Sequence, residues 1–338
     1  MVSATPTTSH VGAAPTAAPP RSTTSSSTTT VAATTTIAAT TTIPTLPPLA
    51  SPPVSLRVGA RSYDWVDPTR NTPANGNYGA RTGRELVTTI WYPAVGSPST
   101  IAHWGAAPDR AHGRFPIILF AHGHAGEPAA YQGIITTWVS RGYVVVAPAF
   151  PLSRARALGG PSYDDLLNQP GDLSYVLTRV LANNADPNSW IYGLLDPRRV
   201  GAIGHSMGAW TVLGLVGNQC CRDPRVKAAI LLASELAPAF TTKFFTKPAP
   251  PLLFVHALRD NVIPFEFGKR AYAAATAPKY FLTVIGDHLQ PYWGPATPLG
   301  ATVVAVTNEF LDRYLRGIPN VAIASPDLRF GRLQSRLR

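Results

Sequence analysis

A pentapeptide near the middle of the chain, Gly204-His205-Ser206-Met207-Gly208, has the residue types and spacing of a serine nucleophile. It follows residues 199–204, an apolar run that predicts a strand, and precedes residues 209–216, which predict a helix. A strand-to-helix turn this tight needs glycines on both sides, and it lifts the serine hydroxyl above the sheet. The sequence therefore predicts covalent catalysis by Ser206.

A serine hydroxyl is a weak nucleophile, so it needs a general base that an acid orients in turn. Enzymes with this kind of turn carry the nucleophile, the acid and the histidine in that order along the chain. Only His256 and His288 follow Ser206. His256 lies inside an apolar strand and suits the core, whereas His288 follows a strand directly and precedes the final helix. We predict His288 as the base.

The acid has more than one candidate. Asp260 follows the strand at residues 252–257 in a loop of the required kind, whereas Glu235 follows the preceding strand. Asp287 adjoins His288 in sequence, so its carboxylate is poorly placed to face the Nδ1 atom of that ring. We predict Asp260 as the acid and keep Glu235 as an alternative.

The attacked carbonyl becomes an oxyanion that needs preset N–H donors. We expect one donor at Met207 and the other in the glycine-rich loop at residues 121–126, at His124 or, failing that, at Ala125. His122 and His124 also have the His-x-His spacing of a metal site, but no further ligand visibly accompanies them. We therefore predict no metal and no cofactor.

The rest of the chain from about residue 54 alternates between strand and helix patterns. This alternation with apolar strands predicts an α/β fold with a mostly parallel, doubly wound sheet covered on both faces. The helix at 163–184 is expected to break at Pro170-Gly171. The predicted strands are residues 85–93, 115–121, 143–149, 199–204, 226–233, 252–257 and 280–285, and the predicted helices are 129–141, 163–184, 209–216, 267–275 and 303–315.

Five motifs together resemble the α/β-hydrolase superfamily, in particular a group of platelet-activating-factor acetylhydrolase-like, dienelactone-hydrolase-like and bacterial cutinase-type polyester esterases. The motifs are RTGRELVTTIWYPA (81–94), FAHGHAG (120–126), GHSMGA (204–209), RDNVIP (259–264) and GDH (286–288). The resemblance implies a single α/β-hydrolase domain, a carboxylic ester hydrolase without a cofactor, and a short lid or none.

The same resemblance bears on the acid and on the substrate. The polyester esterases are similar in carrying the acid after the seventh strand, which matches Asp260, whereas the acetylhydrolases carry it after the sixth, near Glu235. The chain departs from the polyester esterases at His124, where they often have an aromatic residue. It also lacks their tryptophan within residues 234–251 and has Phe240, Phe244 and Phe245 there instead.

These observations predict a serine carboxylic ester hydrolase that acts through an acyl-enzyme on short to medium acyl esters or on polyesters. Trp210, Phe240 and Tyr292 are candidate walls of the substrate pocket. Two other classes remain open, namely an acyltransferase with the same triad and a non-catalytic cell-surface binding module on a hydrolase scaffold.

The two ends of the chain differ from the middle. Residues 1–53 consist largely of Thr, Ser, Ala and Pro, so they cannot bury enough apolar surface and should be disordered. They contain neither a basic leader nor an apolar run, so we expect any export signal to precede this sequence. We predict a catalytic domain at 54–325 and a basic C-terminal tail at 326–338.

Charge and cysteine content bear on location and partners. The net charge is +11 and the pI about 9.9, but the basic residues show no aromatic-interleaved cluster of the kind that nucleic-acid binding requires. We expect a secreted or cell-surface monomer that has peripheral contact with the cell envelope and an ester or polyester substrate. Cys220 and Cys221 are either two small buried or half-buried residues or, in an exported protein, a vicinal disulfide.

Overall fold

The apolar runs of the sequence form the middle of a ten-stranded sheet. The computed structural model describes residues 48–49, 55–319, 323 and 329–337, so that the predicted disordered arm at 1–53 lies almost wholly outside the described residues. The strands are β1 (Arg57–Asp67), β2 (Arg84–Ala94), β3 (His103–Trp104), β4 (Phe115–Ala121), β5 (Val144–Pro148), β6 (Leu195–His205), β7 (Val226–Leu232), β8 (Leu252–Ala257), β9 (Lys279–Val284) and β10 (Gly331–Arg336).

The order of strands across the sheet is β10-β9-β8-β7-β6-β4-β5-β2-β1-β3. The six strands from β5 to β9 are parallel, whereas β2 is antiparallel to β5, β1 to β2, and β10 to β9. The predicted mostly parallel sheet is therefore confirmed. Strand β6, which leads into Ser206, lies in the middle of the parallel part.

Helices cover both faces of the sheet, as the buried parallel strands require. They are α1 (Gln132–Ser140), α2 (Gln169–Ala185), α3 (Met207–Gly217), α4 (Phe265–Ala274) and α5 (Pro298–Leu311). Residues of α1 and α5 pack in one apolar layer, and residues of α2, α3 and α4 pack in the other. Each fully buried large apolar side chain contributes roughly 1.5–3 kcal/mol, so these two layers fix the central strands and the loops at their ends.

Helix α2 does not break where the sequence analysis expected it to. A 3₁₀ helix at Tyr163–Asn168 leads into α2, and Pro170 lies in the first turn of that helix. Proline is accepted there because a backbone N–H in the first turn has no partner within the helix. The predicted interruption at Pro170-Gly171 is therefore wrong.

The C-terminal segment is not only a tail. Gly331–Arg336 form strand β10, which pairs antiparallel with β9 along its whole length. An edge strand has one side in water, so it tolerates the polar and basic residues that made residues 326–338 look unstructured. The predicted domain end at residue 325 is corrected by this pairing.

Cys220 and Cys221 are joined by a vicinal disulfide directly after α3. The turn that contains them is bound to the loop after β7, where the Gln219 N–H donates to the Lys243 carbonyl at 3.0 Å. These are the only two cysteines of the chain, so both thiols are used. Across the residues that the structure describes, no helix is long and apolar enough to cross a membrane.

Candidate active site

Ser206 occupies a strained turn between β6 and α3. Its backbone has φ 56° and ψ −125°, a conformation that a residue with a side chain rarely adopts. A Cβ atom on Gly204 would lie 2.1 Å from the Gly208 carbonyl oxygen, and one on Gly208 would lie 2.1 Å from that of Ala121. Both flanking glycines are thus required by sterics, as the sequence analysis argued. The strain is stored at the residue predicted to be the nucleophile.

His288 and Asp260 form a hydrogen-bonded pair at the carboxyl ends of two neighbouring strands. The Nδ1–H of His288 donates to Asp260, with Oδ2 at 2.8 Å and Oδ1 at 3.0 Å. Asp260 Oδ1 also accepts the N–H groups of Val262 and Ile263, at 2.9 and 2.8 Å. Because a carboxylate can only accept, Nδ1 carries the proton, and Nε2 remains as the basic atom.

The base is attached to the residue that precedes the nucleophile. The Nε2–H of His205 donates to the backbone carbonyl of His288 at 2.9 Å, and the two imidazole rings are 4.8 Å apart between centroids. The residues Ser206 and His288 are each 7% exposed. The strand topology and this contact therefore bring the base loop to the nucleophile turn.

The glycine-rich loop after β4 lies against Ser206. A Cβ atom on Gly123 would be 3.2 Å from the Ser206 Cβ. Within this loop the Gly123 N–H donates to the Tyr131 hydroxyl at 3.2 Å, and the Ala125 N–H donates to the Ser153 carbonyl at 2.8 Å. For the His124 N–H, no acceptor is found among the residues that the structure describes. Of the two predicted loop donors, His124 is thus the one whose N–H can turn toward a ligand.

Comparisons with known proteins agree with this architecture. The family model described as chlorophyllase matches residues 97–234, from before β4 to just past β7. A solved ferulic acid esterase from Streptomyces cinnamoneus has the same fold, with a TM-score of 0.60 and 24% identity, over 82% of this chain and 96% of that one. The chain therefore has the α/β-hydrolase fold.

The sequence relatives of this chain match only part of its length. The uncharacterized protein YfhR of Escherichia coli K12 is 24% identical over 196 residues, and that of Salmonella typhi is 25% identical over 205. The matches span 52% of this chain and 63% and 65% of those relatives. The part shared with these relatives is therefore less than two thirds of their length.

The two carboxylates predicted as candidate acids have different surroundings. Burial alone would raise the pKa of Asp260, but the hydrogen bonds from His288 and from the Ile263 and Val262 N–H groups together lower it. Burial raises the pKa of Glu235, which the charge of Arg270 only partly offsets. Asp260 is thus held ionised next to the base, whereas no hydrogen bond joins Glu235 to His288.

The other two histidines near the site are occupied by backbone groups. His122 donates from Nδ1 to the Gly123 carbonyl at 2.8 Å and accepts the Phe150 N–H at Nε2 at 3.0 Å. His256 donates from Nε2 to the Ile263 carbonyl at 2.9 Å. Neither ring nitrogen of His122 is available for the His-x-His metal site that the sequence left open.

An aromatic stack lies beside the nucleophile turn. The His124 ring lies flat on the Tyr163 ring, with centroids 3.8 Å apart and an interplanar angle of 8°, and Trp210 lies 6.2 Å from Tyr163. The backbone N–H of Trp210 donates to the Ser206 carbonyl, so the Trp210 side chain lies one helical turn after the nucleophile. The buried His124 Nδ1 and Trp210 Nε1 atoms have no hydrogen-bond partner within the described part of the chain. Trp210 thus connects this aromatic stack to the nucleophile turn.

One of the three predicted pocket walls, Tyr292, is a core residue instead. Tyr292 is fully buried, donates its hydroxyl to the Val255 carbonyl and packs 4.8 Å from the His205 ring, so it supports the site from below. Phe240 is 7% exposed and packs with Met207 in a small apolar cluster. Trp210 is the one of the three that is half-buried. An aromatic residue next to a motif does not reveal which way it faces, and this is why the sequence misplaced Tyr292.

Sequence reasoning missed Tyr131 and Tyr163. Tyr131 contacts the site through its hydroxyl and Tyr163 through its ring, but each comes from a segment without a recognised motif. Tyr163 follows Gly159-Gly160-Pro161, and this turn signal could have marked it as the tip of a site loop. No comparable signal accompanies Tyr131.

A cleft of about 1180 Å³ opens elsewhere, between α1 and α5. Thr136, Trp293 and Asn308 line it, and neither Ser206, Asp260 nor His288 does. The candidate catalytic residues and this cleft therefore lie at different places in the molecule.

Proposed function

We propose that this chain is a serine carboxylic ester hydrolase that works through an acyl-enzyme. One observation carries the proposal: His288 is hydrogen-bonded to ionised Asp260 at 2.8 Å, and its backbone is bound to His205, the neighbour of Ser206. The chlorophyllase family match and the ferulic acid esterase neighbour both support a hydrolase of the esterase type.

In the proposed reaction, Ser206 attacks the ester carbonyl while His288 Nε2 takes the hydroxyl proton. The N–H groups of Met207 and His124 stabilise the oxyanion, which needs donors fixed before the charge develops. His288 then gives its proton to the leaving alcohol, and the acyl group stays on Ser206. Water attacks the acyl-enzyme with His288 again as base, which releases the acid and restores the serine.

The proposed substrates are short to medium acyl esters and exposed polyester chains. This rests on the aromatic stack of His124, Tyr163 and Trp210, in which Tyr163 is 52% exposed, so that one aromatic surface near the nucleophile is open to solvent. A flat, open surface suits small acyl groups and chain segments better than long acyl chains, which need an enclosed tunnel. We also propose that the protein works outside the cell, in keeping with its high positive charge.

The test combines a covalent probe with a substrate series. A fluorophosphonate should label the wild type and not Ser206→Ala, which should also lower kcat by about 10⁴–10⁶-fold. Among p-nitrophenyl esters, kcat/KM should be highest from C2 to C8, and an aliphatic polyester film should release acid.

Three outcomes would count against the proposal. Labelling that survives Ser206→Ala would remove the nucleophile. Turnover that requires an added alcohol acceptor would indicate an acyltransferase instead. Best activity on C16 esters, with a sharp rise at an oil–water interface, would point to a lidded lipase.

A further inference from the structure

His205 joins three segments that meet at the proposed site. Its Nδ1 atom is 2.8 Å from the Tyr131 hydroxyl, and its Nε2 atom is 2.9 Å from the His288 carbonyl oxygen. The Tyr131 hydroxyl is in turn 3.2 Å from the Gly123 N–H. A continuous hydrogen-bonded chain thus runs from the glycine-rich loop through Tyr131 and His205 to the base loop.

Because a carbonyl oxygen can only accept, the donor and acceptor of every hydrogen bond in this series are fixed. The His288 carbonyl can only accept, so Nε2 of His205 carries the proton. In a neutral imidazole Nδ1 is then the acceptor, so the Tyr131 O–H donates to it. The Tyr131 oxygen keeps a lone pair for the Gly123 N–H. All four groups are satisfied in a single arrangement.

Burial keeps this series of hydrogen bonds in that arrangement at working pH. It lowers the pKa of His205 to about 3, with the His288 charge acting in the same direction, and raises the pKa of Tyr131 to about 12. His205 therefore stays neutral and Tyr131 keeps its proton while His288 gains and loses one. His205 does not compete for that proton, although the two rings are only 4.8 Å apart.

Two hydrogen bonds, one of them from this series, determine which N–H groups of the glycine-rich loop are left without an acceptor. Tyr131 takes the Gly123 N–H, and Ser153 takes the Ala125 N–H. The loop is thereby held at both positions that flank His124. Through His205, the same series of hydrogen bonds connects this loop to the backbone carbonyl of His288.

We propose that Tyr131 and His205 are positioning residues, which hold the His288 imidazole and the His124 N–H at fixed places relative to Ser206. This inference rests on the proposed ester hydrolysis. Neither residue touches the reacting atoms. Their effect is expected in the transition state, where the oxyanion and the imidazolium form together, and hardly in substrate binding.

The first experiment removes one hydroxyl. Tyr131→Phe should lower kcat on p-nitrophenyl acetate about 5- to 20-fold, as the loss of one buried hydrogen bond can do, with KM changed less than about twofold. The matched control is Tyr175→Phe, which removes a hydroxyl that donates to the Val66 carbonyl on another part of the molecule and should leave both constants unchanged.

The second experiment separates hydrogen bonding from packing. His205→Gln keeps an N–H donor that can reach the His288 carbonyl, whereas His205→Phe keeps the aromatic packing on Tyr292 and loses both hydrogen bonds. The proposal expects the Gln variant to have the higher kcat, even where the Phe variant has the higher melting temperature. A purely structural role would give the opposite order of kcat.

The outcomes are distinct from those that test the proposed function. If the wild type hydrolyses no ester and is not labelled by the fluorophosphonate, the proposed function fails. If the wild type is active, and Tyr131→Phe retains its kcat within twofold or His205→Phe is faster than His205→Gln, the positioning role is overturned.

Discussion

Asp260 binds more than the base. Its Oδ1 atom accepts the N–H groups of Val262 and Ile263, so the carboxylate is oriented by its own loop before it meets His288. The Nε2 atom of His256 also lies 3.6 Å from Oδ2, beyond hydrogen-bond distance. Since each bond favours the ionised form, Asp260 can hold the proton of His288 on Nδ1 and keep Nε2 free for catalysis.

Asp260→Asn should therefore be far more damaging than Glu235→Gln. The amide can donate as well as accept, so it permits the wrong tautomer of His288, and kcat should fall on the order of 10³–10⁴-fold. Glu235→Gln, the matched control, removes a carboxylate that has no bond to the base and should change kcat less than about threefold. The measurement is kcat on a small ester, with circular dichroism to show that both variants are folded. If Glu235→Gln were inactive and Asp260→Asn active, the acid would instead be Glu235, in the loop after β7.

At this scale the sequence could predict those residues whose roles follow from their immediate neighbours. Ser206 lies between two obligatory glycines, and Asp260 and His288 each lie in the loop directly after a strand. Tyr131 was missed because its hydroxyl reaches His205 across 74 positions of the chain. Such a contact has no local pattern, so only the folded structure reveals it.

A buried ion cluster supports the element that carries Tyr163. Arg84 on β2 donates to Asp165 at 2.7 Å and to Asp172 at 2.6 Å, and all three side chains are fully buried. Asp165 belongs to the 3₁₀ helix Tyr163–Asn168, and Asp172 to the first turn of α2. The cluster therefore fixes the segment whose ring covers His124.

Arg84→Met should leave buried Asp165 without its cation and Asp172 with only Arg70 beside it. Breaking a buried ion pair from one side costs about 3–5 kcal/mol, which corresponds to a fall in melting temperature on the order of 10 °C for a domain of this size. Because the Tyr163 segment loses its support, KM for esters should rise as well. Arg198→Met, which removes an exposed arginine paired with Asp196, is the control and should leave the melting temperature almost unchanged. Equal effects of the two substitutions would contradict this account.

The central strands could be predicted because each is a continuous apolar run, and two of them, β4 and β8, have the predicted bounds. The outer strands could not. In β1 exposed and buried residues alternate for part of its length, and β10 is mostly polar, so neither resembles a buried strand. Their identity as strands depends on the neighbour that each one pairs with.

The molecule as a whole buries histidines whose pKa values are lowered by that burial. Burial lowers the pKa of His122 to about 4 and that of His205 to about 3, against an ordinary value of 6.5. The unfolded chain binds these protons near pH 6.5 and the folded chain does not, so the free energy of unfolding must fall as the pH falls. Each histidine can account for a few kcal/mol, on the order of one per pKa unit.

The expected result is full stability above about pH 6.5 and a progressive loss down to about pH 4. Urea unfolding at pH 7, 6, 5 and 4 measures it directly. His205→Gln, which cannot titrate, should reduce the slope of stability against pH relative to the wild type. Stability that stays constant from pH 7 to pH 4 would be incompatible with buried neutral histidines.

Strand β10 affects how copies of the molecule behave toward one another. A chain that ended at the sequence-based boundary of residue 325 would leave β9 with one row of N–H and C=O groups unpaired, which invites another chain to add a strand. In this structure β10 covers that row, and β10, as the edge strand, carries the exposed Arg332 and Arg336. Positive charge on an edge strand discourages aggregation between sheets. The basic C-terminal segment thus protects the sheet against self-association.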